Sequence, residues 1–171
     1  MSLHPPHPAS LAPEVLAKQC DVEFLRRSGP GGQHRNKVET AVRLCHRPTG
    51  IRAEAVERRA QAENRKAALF RLRLRLALEV RSPVDLAAGP SEVWQSRCRG
   101  GRILVNPSHD AFPALLAEAL DAIAGADQDV GRAAEALQCT ASQLVKLLKQ
   151  EPRALEQVNQ IRRANGQRPL R

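Results

Sequence analysis

Residues 41–81 read AVRLCHRPTGIRAEAVERRAQAENRKAALFRLRLRLALEVR, and whether their second half is strand or helix decides the fold. The first half is plain. Residues 41–45 put Val42 and Leu44 on one face of a strand, Pro48-Thr49-Gly50 signals a turn, and residues 51–56 alternate Ile51, Ala53 and Ala55. Together 41–56 reads as a hairpin. The second half is ambiguous, because Phe70-Arg71-Leu72-Arg73-Leu74-Arg75-Leu76 alternates with the period of a strand. Yet 59–81 is rich in Ala, Leu, Arg and Glu, has a single β-branched residue, Val80, and sets Leu69, Leu72, Leu76 and Val80 at helical spacing. More than about 20 residues without a breaker suits a helix, not a strand, so a helix is predicted, ending at Ser82-Pro83.

Working outward, 22–25 reads as a further strand and 13–19 as a short helix with Pro13 in its first turn. Between the strands, Ser28-Gly29-Pro30-Gly31-Gly32 is a segment no helix or strand interior tolerates. Residues 84–109 read as irregular, with a short strand at 103–105. From Asp110 the pattern is helical, over about 110–124, 129–138, 141–150 and 152–165, with Gly125 and Pro152 as breaks.

Composition narrows the function. Among 171 residues there are 27 Lys and Arg against 18 Asp and Glu, a net charge of +9. The excess is local: 21–102 holds 18 basic and 9 acidic side chains, 103–150 holds 3 and 6, and 151–171 holds 5 and 2. This describes a polyanion-binding segment followed by a different module. No run of about 18 apolar residues exists to span a membrane. Hydrophobic residues at 42% exclude wholesale disorder. Aromatics at 2% argue against a β-sandwich and against base-stacking platforms. Cys20, Cys45, Cys98 and Cys139 show no two-residue pairing and read as buried thiols in a reducing cytosol. Cys45, His46 and His34 are ligand types for zinc, but their spacing matches no zinc pattern, so no metal and no cofactor is expected. The N-terminal MSLHPPHPAS has no apolar signal core, which implies a cytoplasmic protein.

The loop at 29–33 offers no Ser, Cys, Asp or Glu as nucleophile or base, only glycines that allow backbone paths closed to other residues and the N–H and amide of Gln33. Any chemistry there must be positioning and electrostatic stabilisation. Its surroundings are informative. Arg27-Ser28-Gly29, Gly31-Gly32-Gln33-His34, Asn36, Thr40-Ala41-Val42-Arg43, His46 with Pro48-Thr49-Gly50-Ile51, then Arg59, Gln61, and Asn64 ahead of Ala68-Leu69 stand in order. Over about 20–80 the chain thereby resembles the peptidyl-tRNA hydrolysis domain of class I peptide chain release factors. Ala60 departs from the Ser usual there, which bears on the cap of the long helix and not on the chemistry.

The resemblance implies an α+β domain, a small, mainly antiparallel sheet with the loop and a long packing helix, to which the pattern from Asp110 adds an α-helical C-terminal module. The expected organisation is a 1–20 leader with a short helix, a 21–82 catalytic domain, an 83–109 irregular linker and a 110–171 helical module with a basic tail. It also implies that Gly31, Gly32 and Gln33 enter the peptidyl transferase centre. There the Gln33 backbone N–H would stabilise charge on the leaving 3′ oxygen, its side chain would shape the water site, and the glycines would let the loop pack on RNA. Arg26, Arg27, Arg35, Lys37, Arg65, Lys66, Arg71, Arg73, Arg75, Arg162 and Arg163 would contact rRNA or tRNA phosphates. The expected partners are large-subunit rRNA and peptidyl-tRNA, with a monomer off the ribosome.

Only about 20 residues precede the first strand, too few for a stop-codon-reading domain, so the expected activity is codon-independent rescue of stalled ribosomes. Release from split large subunits, or a non-catalytic ribosomal RNA-binding role, are the alternatives. Residues Ala134, Leu137, Cys139, Thr140, Leu144 and Leu147 fit a helix-turn-helix, with Gln138 where Gly is usual. The net negative charge of 103–150 favours a structural helix pair over nucleic-acid readout.

Overall fold

The computed structural model describes residues 5–25 and 40–171. They form two units, one of Leu11–Leu76 and one of Ala77–Arg171 with the N-terminal residues up to Ser10.

The first unit holds α1 (Pro13–Lys18), β1 (Cys20–Leu25), β2 (Ala41–His46), β3 (Arg52–Ala55) and most of α2 (Gln61–Glu79). The three strands are antiparallel in the order β1-β2-β3. Register places Val22, Leu44 and Ala53 side by side, and likewise Phe24, Val42 and Ala55. This face carries the buried Val42, Leu44, Ala53 and Ala55. The opposite face aligns Glu23, Arg43 and Glu54, with Arg43 bonded to both carboxylates at 3.3 and 3.1 Å. The hairpin between β2 and β3 closes through His46 N to Ile51 O at 2.9 Å and Gly50 N to His46 O at 2.8 Å. Gly50 takes φ +71°, where a Cβ would strain the backbone.

The arginine-leucine repeat is helical, as its length predicts. Leu72 and Leu76 are buried with Ala68, four residues apart on one stripe. Three side chains along α2 reach sheet-side carbonyls: Asn64 to Thr40, Arg71 to Glu54 and Arg75 to Arg52. The helix is laid along the sheet by backbone acceptors as much as by leucines.

The second unit comprises α3 (Glu92–Arg97), a hairpin of β4 (Cys98–Arg99) and β5 (Arg102–Ile103), α4 (Phe112–Gly125), α5 (Val130–Ala136), α6 (Ala141–Lys149) and α7 (Pro152–Ala164). Helix α4 is apolar nearly all round and buries Phe112, Leu115, Leu116 and Ile123 completely, so it is the core of the unit. At its end Gly125 admits a close approach: a Cβ there would stand 2.9 Å from Val84 Cγ1. The later helices start on side-chain caps, from Asp129, Thr140 and Glu151.

The expectation of an irregular linker over 83–109 is corrected. This stretch carries α3 and the β4–β5 hairpin and is pinned by Trp94, 1% exposed, whose Nε1–H donates to Leu137 O at 2.8 Å. A lone large aromatic needs only a cavity and one acceptor to anchor, and sequence periodicity does not register that. The helix-turn-helix spacing does form a helix pair: Ala134, Leu137, Leu144 and Leu147 are buried, and Gln138 adopts φ +53° at the turn.

Candidate functional site

Gly31, Gly32 and Gln33, with Arg26, Arg27, Arg35 and Lys37, lie outside the described residues. The root of their segment is described. Leu25, the last residue of β1, pairs with Ala41, the first of β2, so the segment leaves and re-enters the sheet between two hydrogen-bonded neighbours.

The re-entry point is tied to α2 by Asn64, which is 0% exposed. Its Nδ2 donates to Thr40 O at 2.6 Å and to Arg58 O at 2.9 Å, and its Oδ1 accepts from Arg58 N at 2.9 Å. All these groups would otherwise be costly to bury. Asn64 thus organises the turn before α2, and Ala60 only offers its carbonyl to the Asn64 N–H at 3.1 Å. Arg65 and Lys66 follow Asn64 directly and are exposed, so two cations stand on the turn of helix that holds the segment's root.

Arg71, Arg73 and Arg75 of α2 have different surroundings. Arg71 donates to Glu54 O at 2.8 Å and pairs with Glu57 at 2.7 Å, both side chains being partly exposed. The N–H of Val56, more than the Arg71 guanidinium, holds the Glu57 carboxyl down to about 2. Arg75 donates to Arg52 O. Arg73 is 4% exposed, packed rather than presented. In the other unit, Arg162 donates to Arg168 O at 2.8 Å and to Gln128 O, and Arg163 pairs with Glu156 at 3.2 Å.

Near the hairpin, buried His46 joins Thr49 Oγ1 at 2.8 Å through Nδ1 and Gln19 Oε1 at 3.1 Å through Nε2. The amide oxygen only accepts, so Nε2 carries the proton. Burial lowers its basicity, helped by nearby Arg47. His46 is therefore a bracket between α1 and the hairpin. Among the described residues, no three His, Cys, Asp or Glu side chains gather as a metal site, and no helix is long and apolar enough to cross a membrane.

Sequence reasoning missed the work of Asn64. The available signal was an Asn at a position where an apolar stripe would otherwise begin, four residues before the buried Ala68.

Residues 10–98, just over half the chain, match the RF-1 domain, and the chain belongs to that family. Over 63 residues it is 46% identical to peptide chain release factor PrfB1, chloroplastic, of Arabidopsis thaliana, covering 37% of this chain and 14% of that one. It is 40% identical over 75 residues to peptide chain release factor 1, mitochondrial, of Bos taurus, covering 44% and 17%. It is 45% identical over 64 residues to peptide chain release factor 1 of Symbiobacterium thermophilum, covering 37% and 18%. The alignments thus span less than a fifth of these relatives.

Proposed function

We propose that this protein hydrolyses the ester of peptidyl-tRNA in the ribosomal peptidyl transferase centre, without reading a stop codon, and so frees stalled ribosomes. The observation that carries the reading is Gly31-Gly32-Gln33 inside the RF-1 domain match, on the segment joining β1 to β2. The loop has no nucleophile of its own, so water attacks the ester carbonyl. The chain's part is to place a donor, the Gln33 N–H, where charge develops on the leaving 3′ oxygen. Arg65 and Lys66, exposed beside the anchored root, suit contacts to RNA phosphates, as do Arg26, Arg27, Arg35 and Lys37. Codon independence is supported by Ser28-Gly29-Pro30-Gly31-Gly32-Gln33 and Asn64-Arg65-Lys66, which resemble the short, codon-independent rescue members of the family.

The test is single-turnover peptide release from ribosomes stalled on truncated mRNA, compared with ribosomes holding a stop codon or a sense codon in the A site. Release that ignores the codon supports the reading, and strict dependence on a stop codon overturns it. Release only from free large subunits would replace rescue of intact ribosomes by the split-subunit alternative.

A further inference from the structure

The outer side of α6 and the returning C-terminal residues enclose a cleft of about 1080 Å³ in the helical unit. Lys146 and Lys149 line it from α6, and Arg168 and Arg171 line it from the tail. All four are exposed, and among the described residues none of the ion pairs involves them. No Asp or Glu lines the cleft, while Val145 and Leu170 supply an apolar wall.

The tail is not a loose end. Leu170 N donates to Asn159 Oδ1 at 2.6 Å, Asn159 Nδ2 donates to Leu170 O at 3.1 Å, and Arg162 holds the Arg168 carbonyl. The tied backbone therefore carries its cations along the same cleft as Lys146 and Lys149, which lie three residues apart on one face of α6. The net negative charge of 103–150 conceals this. Asp121 is buried on Arg81, Glu118 accepts from Ser91 at 2.7 and 2.5 Å, and Asp129 caps α5. These three of the six carboxylates are spent on the unit's own framework, none of the six lines the cleft, and four cations are gathered there.

We propose that this cleft binds the sugar-phosphate backbone of RNA, as a second contact separate from the release loop. The choice of RNA over other polyanions rests on the ribosomal reading above. A helix does not read the deep, narrow major groove of A-form RNA, so α6 serves phosphates and not bases. Such contacts position the protein without sequence preference.

The experiment is fluorescence anisotropy of a short labelled RNA hairpin with the full chain, titrated between roughly 50 and 200 mM salt. Lys146→Ala/Lys149→Ala and Arg168→Ala/Arg171→Ala should each flatten the slope of log affinity against log salt by about 1.4–1.8, and weaken binding on the order of tenfold at 0.1 M salt. Lys18→Ala/Arg132→Ala removes equal charge outside the cleft, at two exposed positions, and should leave the slope unchanged. Unaltered Trp94 emission shows that each variant keeps its fold. Slopes unchanged in both cleft variants, or equal loss in the outside variant, overturn the proposal. So does tighter binding of polyglutamate than of RNA, which would assign the cleft to an acidic protein. Peptide release by the unsubstituted chain is measured alongside. Release without a cleft effect overturns this inference alone, and a cleft effect without release overturns the functional reading alone.

Discussion

The side-chain amide of Asn64 donates to the carbonyl of Thr40 at 2.6 Å, across 24 residues of chain. One residue after Thr40, β2 begins, and one residue after Asn64 come the exposed cations of α2. A single buried amide therefore fixes where the loop-bearing segment returns to the sheet, relative to the helix beside it.

Asn64→Leu keeps the branched shape, at a larger volume, and removes every polar bond of that amide. Thr40 O, Arg58 O and Arg58 N lose their partner, and each orphaned group costs about 1–3 kcal/mol. The urea midpoint should fall accordingly. Asn64→Asp keeps the acceptor but turns a carboxylate on two carbonyls, and should be no better tolerated. If Asn64→Leu unfolds at the same urea concentration as the parent, the amide is not the tie described.

Trp94 is the sole tryptophan and is buried in the helical unit. Its emission should report unfolding of that unit. Trp94→Ala should cost about 3–5 kcal/mol, and Trp94→Phe should cost less, because it orphans Leu137 O without emptying the whole cavity. Thermal melts by circular dichroism check both. A silent Trp94→Ala would return 83–109 to the status of a linker.

Two buried groups in the helical unit give opposite dependences on pH. His7 donates from Nε2 to Val80 O and accepts from Ala9 N, and burial lowers it from 6.5 to about 4. The unfolded chain takes up that proton first, so the stability His7 contributes is complete above 6.5 and lost as pH falls toward about 4. Asp121 is raised by burial from 3.8 to about 6, against the pull of Arg81. Its folded form keeps a proton longer, so its contribution is complete below 3.8 and lost as pH rises through about 6. The two slopes oppose each other in between. His7→Gln should leave a stability that declines from about pH 4 to pH 6, and Asp121→Asn one that rises over that interval. Urea midpoints across that interval, identical in slope for parent and variants, would contradict both assignments.

Gln33 separates backbone from side chain. If its N–H is the donor, Gln33→Ala retains appreciable release. Gln33→Pro, which removes the N–H and sets φ near −65°, should lose about 100- to 1000-fold. Gly32→Ala should be severe through its added Cβ. Ribosome binding should survive all three. Rates are read in single turnover at saturating protein, with affinity measured separately. A Gln33→Ala as inactive as Gln33→Pro would make the side chain the main actor.

The sequence by itself determined the local elements. Alternation set β2 and β3, Pro48-Thr49-Gly50 set their turn, and unbroken length made 61–79 a helix despite its strand-like period. These are properties of neighbours in the chain, where side-chain period and glycine or proline act directly. The Gly31-Gly32-Gln33 triplet and its ordered flanks likewise pointed to the family that residues 10–98 match. Tertiary structure alone decided which polar groups are spent. Arg71 and Arg75 were alike in sequence to Arg73, yet two reach carbonyls of the sheet side and one is buried. Asn64 became a tie because Thr40 and Arg58 happen to converge on it, and Trp94 drew 83–109 into the helical unit through an acceptor 43 residues away. Net charge over 103–150 does not carry this distinction either. A sum over residues does not distinguish a carboxylate buried on an arginine from one facing solvent, and only the fold separates them.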